Sequence, residues 1–393
     1  MSKRHVVKIF PTLLGIGLII CLNSLPAYSL ELDSIGGDFS CYWASIHLLI
    51  NGQNPYSIEH NVKIQQSVKQ NHPVFAYSPP WLFTCIIPFS FGNYHLFNCV
   101  WISMMLLLLY ICVFWLWHIY EGNKDKRYLS LITLITFTPV FYTLLIGQIV
   151  PLILVGLVGF LYFVEKKNWW IAALFTIFLT LKPQILYLFW IALLFWIIEN
   201  RNWKFGFKIL IVNLLFLSIP LIFNHQVYNQ YFIATSSQSF AYYWATPTIG
   251  TFLRFFWGDK HWLQLIPSIA GLVWFAIYWI KNRHRWEWKQ EIPLLIIISL
   301  LTTFYCWEHD YILILIPLVQ MLAWITNQQK IITKFVFVII IYFITNTLDF
   351  TDYLLHFGEH HGILLLVVIT LCYLLIMTDR RFSISQRMQR SRL

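Results

Sequence analysis

The segment Gly36-Gly37-Asp38-Phe39-Ser40-Cys41-Tyr42-Trp43 places a carboxylate just beyond the first long apolar stretch of the chain. A carboxylate where a helix leaves a membrane is a candidate catalytic base, and the competing reading of Asp38 is an Asx-turn or N-cap ahead of residues 39–50. Two cations stand out for their surroundings. Lys182 sits in a Leu-Lys-Pro-Gln turn between two apolar runs, where an ammonium is costly unless it snorkels or meets an anion. Arg254, between Leu253 and Phe255 on a segment of helical character, can fork a phosphate or anchor an interface. In Glu308-His309-Asp310 a histidine stands between two carboxylates at the start of an apolar run, placed to help neutralise an anion or to hold hydroxyls. Gly147-Gln148 reads as a hairpin turn between neighbouring apolar segments.

No metal or cofactor framework accompanies these groups. Cys41 is the cysteine that falls clearly in a loop, no CxxC spacing occurs, and the seven cysteines are an odd number. His356, Glu359, His360 and His361 come nearest to a metal site and read better as a solvated turn. There is no Gly-rich phosphate loop and no soluble nucleotide-binding region, so a nucleotide-linked substrate is not expected. The aromatic residues are bulk and interfacial belt, with Trp43, Tyr56, Tyr77, Tyr242, Tyr243 and Trp244 as candidates for stacking on a ligand.

The elements that must position these groups belong to a membrane. Hydrophobic residues make up 59% of the 393 positions and charged residues 11%, which excludes a soluble domain. Apolar runs near 9–30, 94–119, 128–146, 149–164, 170–181, 184–198, 205–223, 262–280, 292–307, 311–326, 335–347 and 363–378 predict an all-α integral membrane protein. The expectation is one polytopic bundle over 1–393 with about twelve spans. Cytoplasmic loops retain Lys and Arg. With the N-terminus inside, every Lys and Arg falls on the cytoplasmic side except Lys63, Lys69, Lys182, Arg254 and Lys260. Both termini are then cytoplasmic, in a cell (inner) membrane, with 379–393 as a basic tail. The net charge of +10 becomes a topology signal with attraction to anionic lipid, and no nucleic-acid partner is implied. Residues 9–25 are longer than a signal-peptide core, and Pro26 and Tyr28 make a poor cleavage site, so the first run reads as an uncleaved anchor.

The first outer loop, 31–93, is expected to hold two interfacial helices. Tyr42, Trp43, Ile46, Leu49 and Ile50 recur at helical spacing and predict a helix with its aromatic side in lipid headgroups. Gly52 and Pro55 stop it. A second run from Tyr77 to Phe89 opens with Pro at a first-turn position and is too short to cross.

The ordered series Asp38-Phe39, Tyr42, Asn51-Gly52-Gln53-Asn54-Pro55-Tyr56, Tyr77-Ser78-Pro79-Pro80, Gly147-Gln148, Lys182-Pro183-Gln184 and Trp307-Glu308-His309-Asp310-Tyr311 with Pro317 resembles glycosyltransferase family 87. That family belongs to the GT-C superfamily and includes polyprenol-phosphate-mannose-dependent α-mannosyltransferases. Where the family tends to show Asn-Gln-Ser-Leu before a basic residue, this chain has Thr246-Pro247-Thr248-Ile249 before Arg254. The resemblance implies a GT-C-like bundle that transfers a hexose, most naturally mannose, from a polyprenyl-phosphate donor. The acceptor would be a lipid- or glycan-linked hydroxyl at the outer face. It implies Asp38 as the catalytic base; the charges near the outer side then make Lys182, Arg254 and His309 the candidates for the donor phosphate, with Tyr42, Tyr56, Gln148 and Glu308 as candidates at substrate. The rival classes are a lipid-linked oligosaccharide flippase or transporter, and another GT-C transferase or ligase. A transporter would be expected to show internal repeats and ionisable groups at mid-membrane, and neither is evident.

Overall fold

The computed structural model describes residues 37–90, 92–237, 246–258, 260–327, 340–348 and 362–390. Among them there are helices and turns and no strand. The α-helices are α1 (Gly37–Ile50), α2 (Ile58–Ser67), α3 (Pro80–Ile86), α4 (Tyr94–Ile119), α5 (Tyr128–Thr136), α6 (Thr138–Ile146), α7 (Val150–Glu165) and α8 (Trp169–Leu179). They continue with α9 (Tyr187–Glu199), α10 (Trp203–Phe223), α11 (Val227–Ser237), α12 (Ile249–Trp257), α13 (Leu265–Asn282), α14 (Trp288–Thr302), α15 (Leu315–Thr326) and α16 (Gly362–Arg390). The expected first span, 9–30, and the histidine-rich turn at 356–361 lie outside the described residues.

The expected spans divide into two kinds. Among the described residues four stretches can, by length and composition, cross a membrane: Tyr94–Ile119, Trp203–Phe223, His261–Arg285 and Glu308–Thr326. A fifth is possible if α5 and α6, bent by 55° at their junction, count as one. Pro139 at the second position of α6 accounts for the bend, because proline removes a backbone donor and clashes with the preceding turn. Others are shorter apolar helices, among them Val150–Glu165, Trp169–Leu179, Pro183–Glu199 and Ile363–Thr378. Hydropathy registers each apolar run alike, whereas Gly147, Lys182-Pro183 and Pro139 break the runs into pieces too short to span alone.

The chain packs as two compact units. The first comprises Met1–Cys112, Val140–Pro183 and Leu194–Trp244. Here α7 and α8 pack closely because Gly156 and Gly159 leave room: a Cβ on Gly156 would lie 2.9 Å from the Phe175 carbonyl, and one on Gly159 would lie 2.2 Å from the Phe175 ring. Small residues at helix contacts let backbones approach, which is how helices associate where lipid offers no hydrophobic drive. Helix α10 packs on α8 and α3. The second unit comprises Val113–Pro139, Gln184–Leu193 and Ala245–Leu393. In it α15 lies against α5, α14 and α16, and Tyr373 of α16 donates to Gln320 of α15 at 2.7 Å, satisfying a buried amide.

The expected interfacial helix at 40–50 requires a correction. Helix α1 starts at Gly37 and is stopped by Gly52 at φ +69°, with the backbone bonds Gly52 N–H to Leu49 O and Gln53 N–H to Leu48 O closing its C-terminus. Its aromatic side, however, is buried in protein: Tyr42, Trp43, Ile46 and Leu49 are all below a tenth exposed. The partners include α2, which the sequence did not reveal, α3, and α4, whose Tyr94 meets the Trp43 ring edge-on at 5.4 Å between centroids. Amphipathic spacing identifies an apolar face without saying whether lipid or protein covers it. The second short helix is present as α3 followed by a 3-10 turn at Ile87–Phe89, with Pro80 at its first turn.

Candidate active site

Helix α1 carries Asp38 in its first turn, where the aligned peptide dipoles favour an anion. The residues on either side hold it. Phe39 is fully buried and stacks on Trp101 and Tyr94, ring centroids 5.5 and 6.0 Å apart. Ser40 Oγ lies 3.0 Å from Gln65 Oε1. Gln65, wholly buried on α2, also accepts from the Val74 N–H at 2.9 Å and donates to Asn61 Oδ1 at 2.6 Å and Val74 O at 2.7 Å. Asn61 donates in turn to Ser45 Oγ on α1 at 2.8 Å and to Pro55 O at 3.2 Å. These buried amides tie α1 to α2 and to the loop at Val74, and each amide is used on both its oxygen and its nitrogen.

The carboxylate itself meets Gln148. Gln148 Nε2 donates to Asp38 Oδ2 at 2.6 Å, while its Oε1 accepts from the Tyr42 hydroxyl at 3.3 Å and from the Ile149 N–H at 3.2 Å. Two donors facing Oε1 and an acceptor-only carboxylate facing Nε2 fix the amide orientation, because a flipped amide would set oxygen against oxygen. The turn that delivers Gln148 is a helix C-terminus: Gly147 adopts φ +74°, and the Gln148 N–H bonds to Thr143 O at 2.9 Å. The indole of Trp101 donates to the Gly147 carbonyl at 2.8 Å. Trp101 therefore braces the residue beside Asp38 with its ring and the residue beside Gln148 with its N–H.

Other groups cluster one turn along α1. Burial pushes the Cys41 thiol up, and the negative charge of Asp38 adds to that, against a smaller opposing hydrogen bond from Ser45. Burial likewise raises Tyr77, with Cys41 as the second cause. Tyr56 is raised first by burial and then by Tyr231, Tyr228 and Cys41. The Tyr56 ring lies against Phe83 and Tyr231 and its hydroxyl donates to Ser78 O at 2.9 Å, so it closes the loop between α1 and α3. Lys182 is half-buried in the turn after α8, as expected, and that turn is held by Trp81, whose indole donates to Thr180 O at 3.2 Å. Asp38, Tyr42 and Gln148 are thus in one bonded group, with Tyr56 and Lys182 elsewhere in the same unit.

The second unit carries Arg254, Glu308 and His309. Arg254 is on the buried side of α12, and the Thr248 hydroxyl caps that helix by accepting from the Thr251 N–H at 3.3 Å. Thr246, Thr248 and Thr251 form a buried hydroxyl cluster at its start, so the Thr246-Pro247-Thr248-Ile249 departure is built into the cap. Residues Glu308–Ile314 form a 3-10 turn whose Asp310 carboxylate accepts from the Trp307 N–H at 2.8 Å. Asp310 is fully buried, His309 nearly so with its Nε2 3.7 Å from Asp310 Oδ1, and Glu308 is half-buried. The Tyr311 hydroxyl donates to Pro247 O, joining the His309 turn to the segment that leads into Arg254. Among the described residues no group of His, Cys, Asp and Glu could hold a metal ion.

Helices of membrane-crossing length place the chain among helical membrane proteins. Residues 75–303, more than half of the chain, match glycosyltransferase family 87, and the protein belongs to that family: it is a membrane glycosyltransferase. The matched stretch contains Gln148, Lys182 and Arg254, while Asp38, Tyr42, Tyr56, Glu308 and His309 flank it. No curated protein and no solved structure matches the chain. Sequence reasoning named Asp38, Tyr42 and Gln148 separately. It missed Gln65, Asn61 and Trp101, whose one signal was polar or indole character within otherwise apolar or loop segments.

Proposed function

We propose that the protein transfers a hexose, most naturally mannose, from a polyprenyl-phosphate sugar to a lipid- or glycan-linked hydroxyl at the outer face of the membrane, with inversion. The observation that carries the reading is the 2.6 Å bond from Gln148 Nε2 to Asp38 Oδ2, backed by Tyr42. Phosphate linked to an anomeric carbon departs as a stable anion and needs no general acid. One base is then enough, unlike glycoside hydrolysis with its two carboxylates.

In the proposed step the acceptor hydroxyl gives its proton to Asp38 as its oxygen forms the bond to the anomeric carbon. The bond from that carbon to the phosphate oxygen breaks on the opposite face, and its electrons leave with polyprenyl phosphate. Gln148 keeps the carboxylate turned one way, so little orientation remains to be found when the acceptor arrives. Lys182, Arg254 and His309 are the proposed partners of the phosphate, as charge-assisted hydrogen bonds suit an anion of growing charge. Tyr42, Tyr56 and Glu308 are proposed to line the sugar and acceptor positions, Tyr42 closest to the base through their shared partner Gln148.

Asp38→Asn tests this reading. The amide preserves shape but cannot take a proton, so transfer from polyprenyl-phosphate-mannose should fall by about 100- to 10,000-fold, the range for a lost general base. Expression and donor binding should persist. Normal turnover by purified Asp38→Asn protein would remove Asp38 from the mechanism and leave it a first-turn helix residue.

A further inference from the structure

Helix α12 has two unlike sides. Gly250, Thr251 and Arg254 are buried, whereas Phe252, Phe255, Phe256 and Trp257 are half to three-quarters exposed. The buried side is clamped to the turn His261–Gln264: a Cβ on Gly250 would lie 2.8 Å from the Gln264 Cα and 3.2 Å from its carbonyl oxygen. The orientation of the aromatic side is therefore fixed by backbone contact. Directly after that turn comes α13, part of the candidate span His261–Arg285. Ile266, Ile269, Val273, Ile277 and Ile280 are exposed along α13, an outward apolar stripe of the kind that a spanning helix turns to lipid. The far end of α13 runs into Lys281, Arg283 and Arg285, a basic cluster of the kind retained on the cytoplasmic side. Eighteen residues of α13 span about 27 Å at 1.5 Å per residue, so α12 sits at the opposite interface.

Between α12 and the head of α13 runs a groove of about 450 Å³ lined by Leu253, Trp257, Lys260, Trp262, Leu263 and Ile266. Among the described residues its walls are apolar apart from Lys260, which is exposed. We propose that α12 is a monotopic foot lying in the non-cytoplasmic leaflet, its aromatic side among acyl chains, and that the groove holds one phospholipid whose phosphate meets Lys260. Continuity of the exposed aromatic side with the lipid-facing stripe of α13 names lipid as the occupant. Aromatic side chains with a lysine at headgroup depth are the composition an interface selects. The inference stands apart from the transfer reaction, since it uses neither Asp38 nor the sugar donor.

The test uses the full chain in phosphatidylcholine vesicles free of donor, with a fluorescent label on Phe255→Cys and, separately, on Gln66→Cys of exposed α2. The Phe255 label should be quenched by bromine on the lipid chains and shielded from aqueous iodide, and the Gln66 label should show the reverse. Phe252→Cys repeats the measurement should the first variant fold poorly. In detergent, Lys260→Gln should carry about one phospholipid phosphorus fewer per chain than the parent. A Phe255 label quenched by iodide and not by bromolipid would overturn the foot. Quenching by neither would mean that protein covers the face, which also overturns it. Unchanged bound phosphorus in Lys260→Gln would overturn the groove as a phospholipid site.

Discussion

Replacing Gln148 by leucine would remove the donor facing Asp38 while keeping similar bulk, and would leave the Tyr42 hydroxyl and the Ile149 N–H without their shared acceptor. A hydrogen bond to a charged group is worth about 1.5–3 kcal/mol, so kcat should drop by roughly 10- to 100-fold, with less effect on donor KM. Gln148→Glu asks a different question. A second carboxylate at this distance disfavours the charged form of Asp38, which raises the pH at which the base becomes available. The acid limb of the kcat–pH profile should move to higher pH in Gln148→Glu and stay in place in Gln148→Leu. If both variants kept the parental rate and profile, Gln148 would be a turn residue and no more. The residues themselves were legible because each belongs to a recognisable short motif. Their meeting was not, since Asp38 and Gln148 are 110 positions apart and nothing local to either names the other.

Among the elements, the contact of α7 with α8 depends on two positions without side chains. Gly159→Leu would drive carbon into the Phe175 ring, and Gly156→Ala would press on the Phe175 carbonyl and the Phe178 Cβ, at 2.9 and 3.0 Å. Overpacking of this kind costs about 1–3 kcal/mol, so either variant should melt earlier in detergent, with Gly159→Leu the worse of the two. Since α7 begins two residues after Gln148, the loss should extend to activity. A melting curve indistinguishable from the parent would show that these helices are free to separate. Helix positions in general were legible from hydropathy and from breakers such as Gly52, Pro80 and Lys182-Pro183. The burial of α1 was not, because Tyr42, Trp43, Ile46 and Leu49 present the same spacing to lipid as to α2 and α3. Helix α2 escaped notice for the opposite reason. Its sequence, Ile58–Ser67, is polar, and its buried side is made of Asn61 and Gln65, which amphipathic counting scores as solvent-facing.

For the molecule as a whole, the distribution of Lys and Arg makes a prediction about sidedness. Residues 57–71 are expected outside and 123–128 inside, so a cysteine at exposed Gln66 should react with an impermeant thiol reagent in intact cells, and one at exposed Asp125 should not. Asn61 is unsuitable for such labelling because it is buried and bonded to Ser45 and Pro55. Native Cys41 should contribute no background, being buried with its thiol pushed up by burial and by Asp38. The reverse labelling pattern would end the topology and the placement of Asp38 with it. The pairing of Asp38 with Gln148 also bears on how the enzyme comes into being. At about 5–20 residues per second, the ribosome delivers Gln148 about 6 to 22 s after Asp38. Throughout that interval the nascent chain already holds its carboxylate and Tyr42, yet neither has the amide that orients them. On the role proposed for Asp38, orientation of the base waits for the insertion of α6, so that an unfinished chain holds the carboxylate without the amide that fixes it.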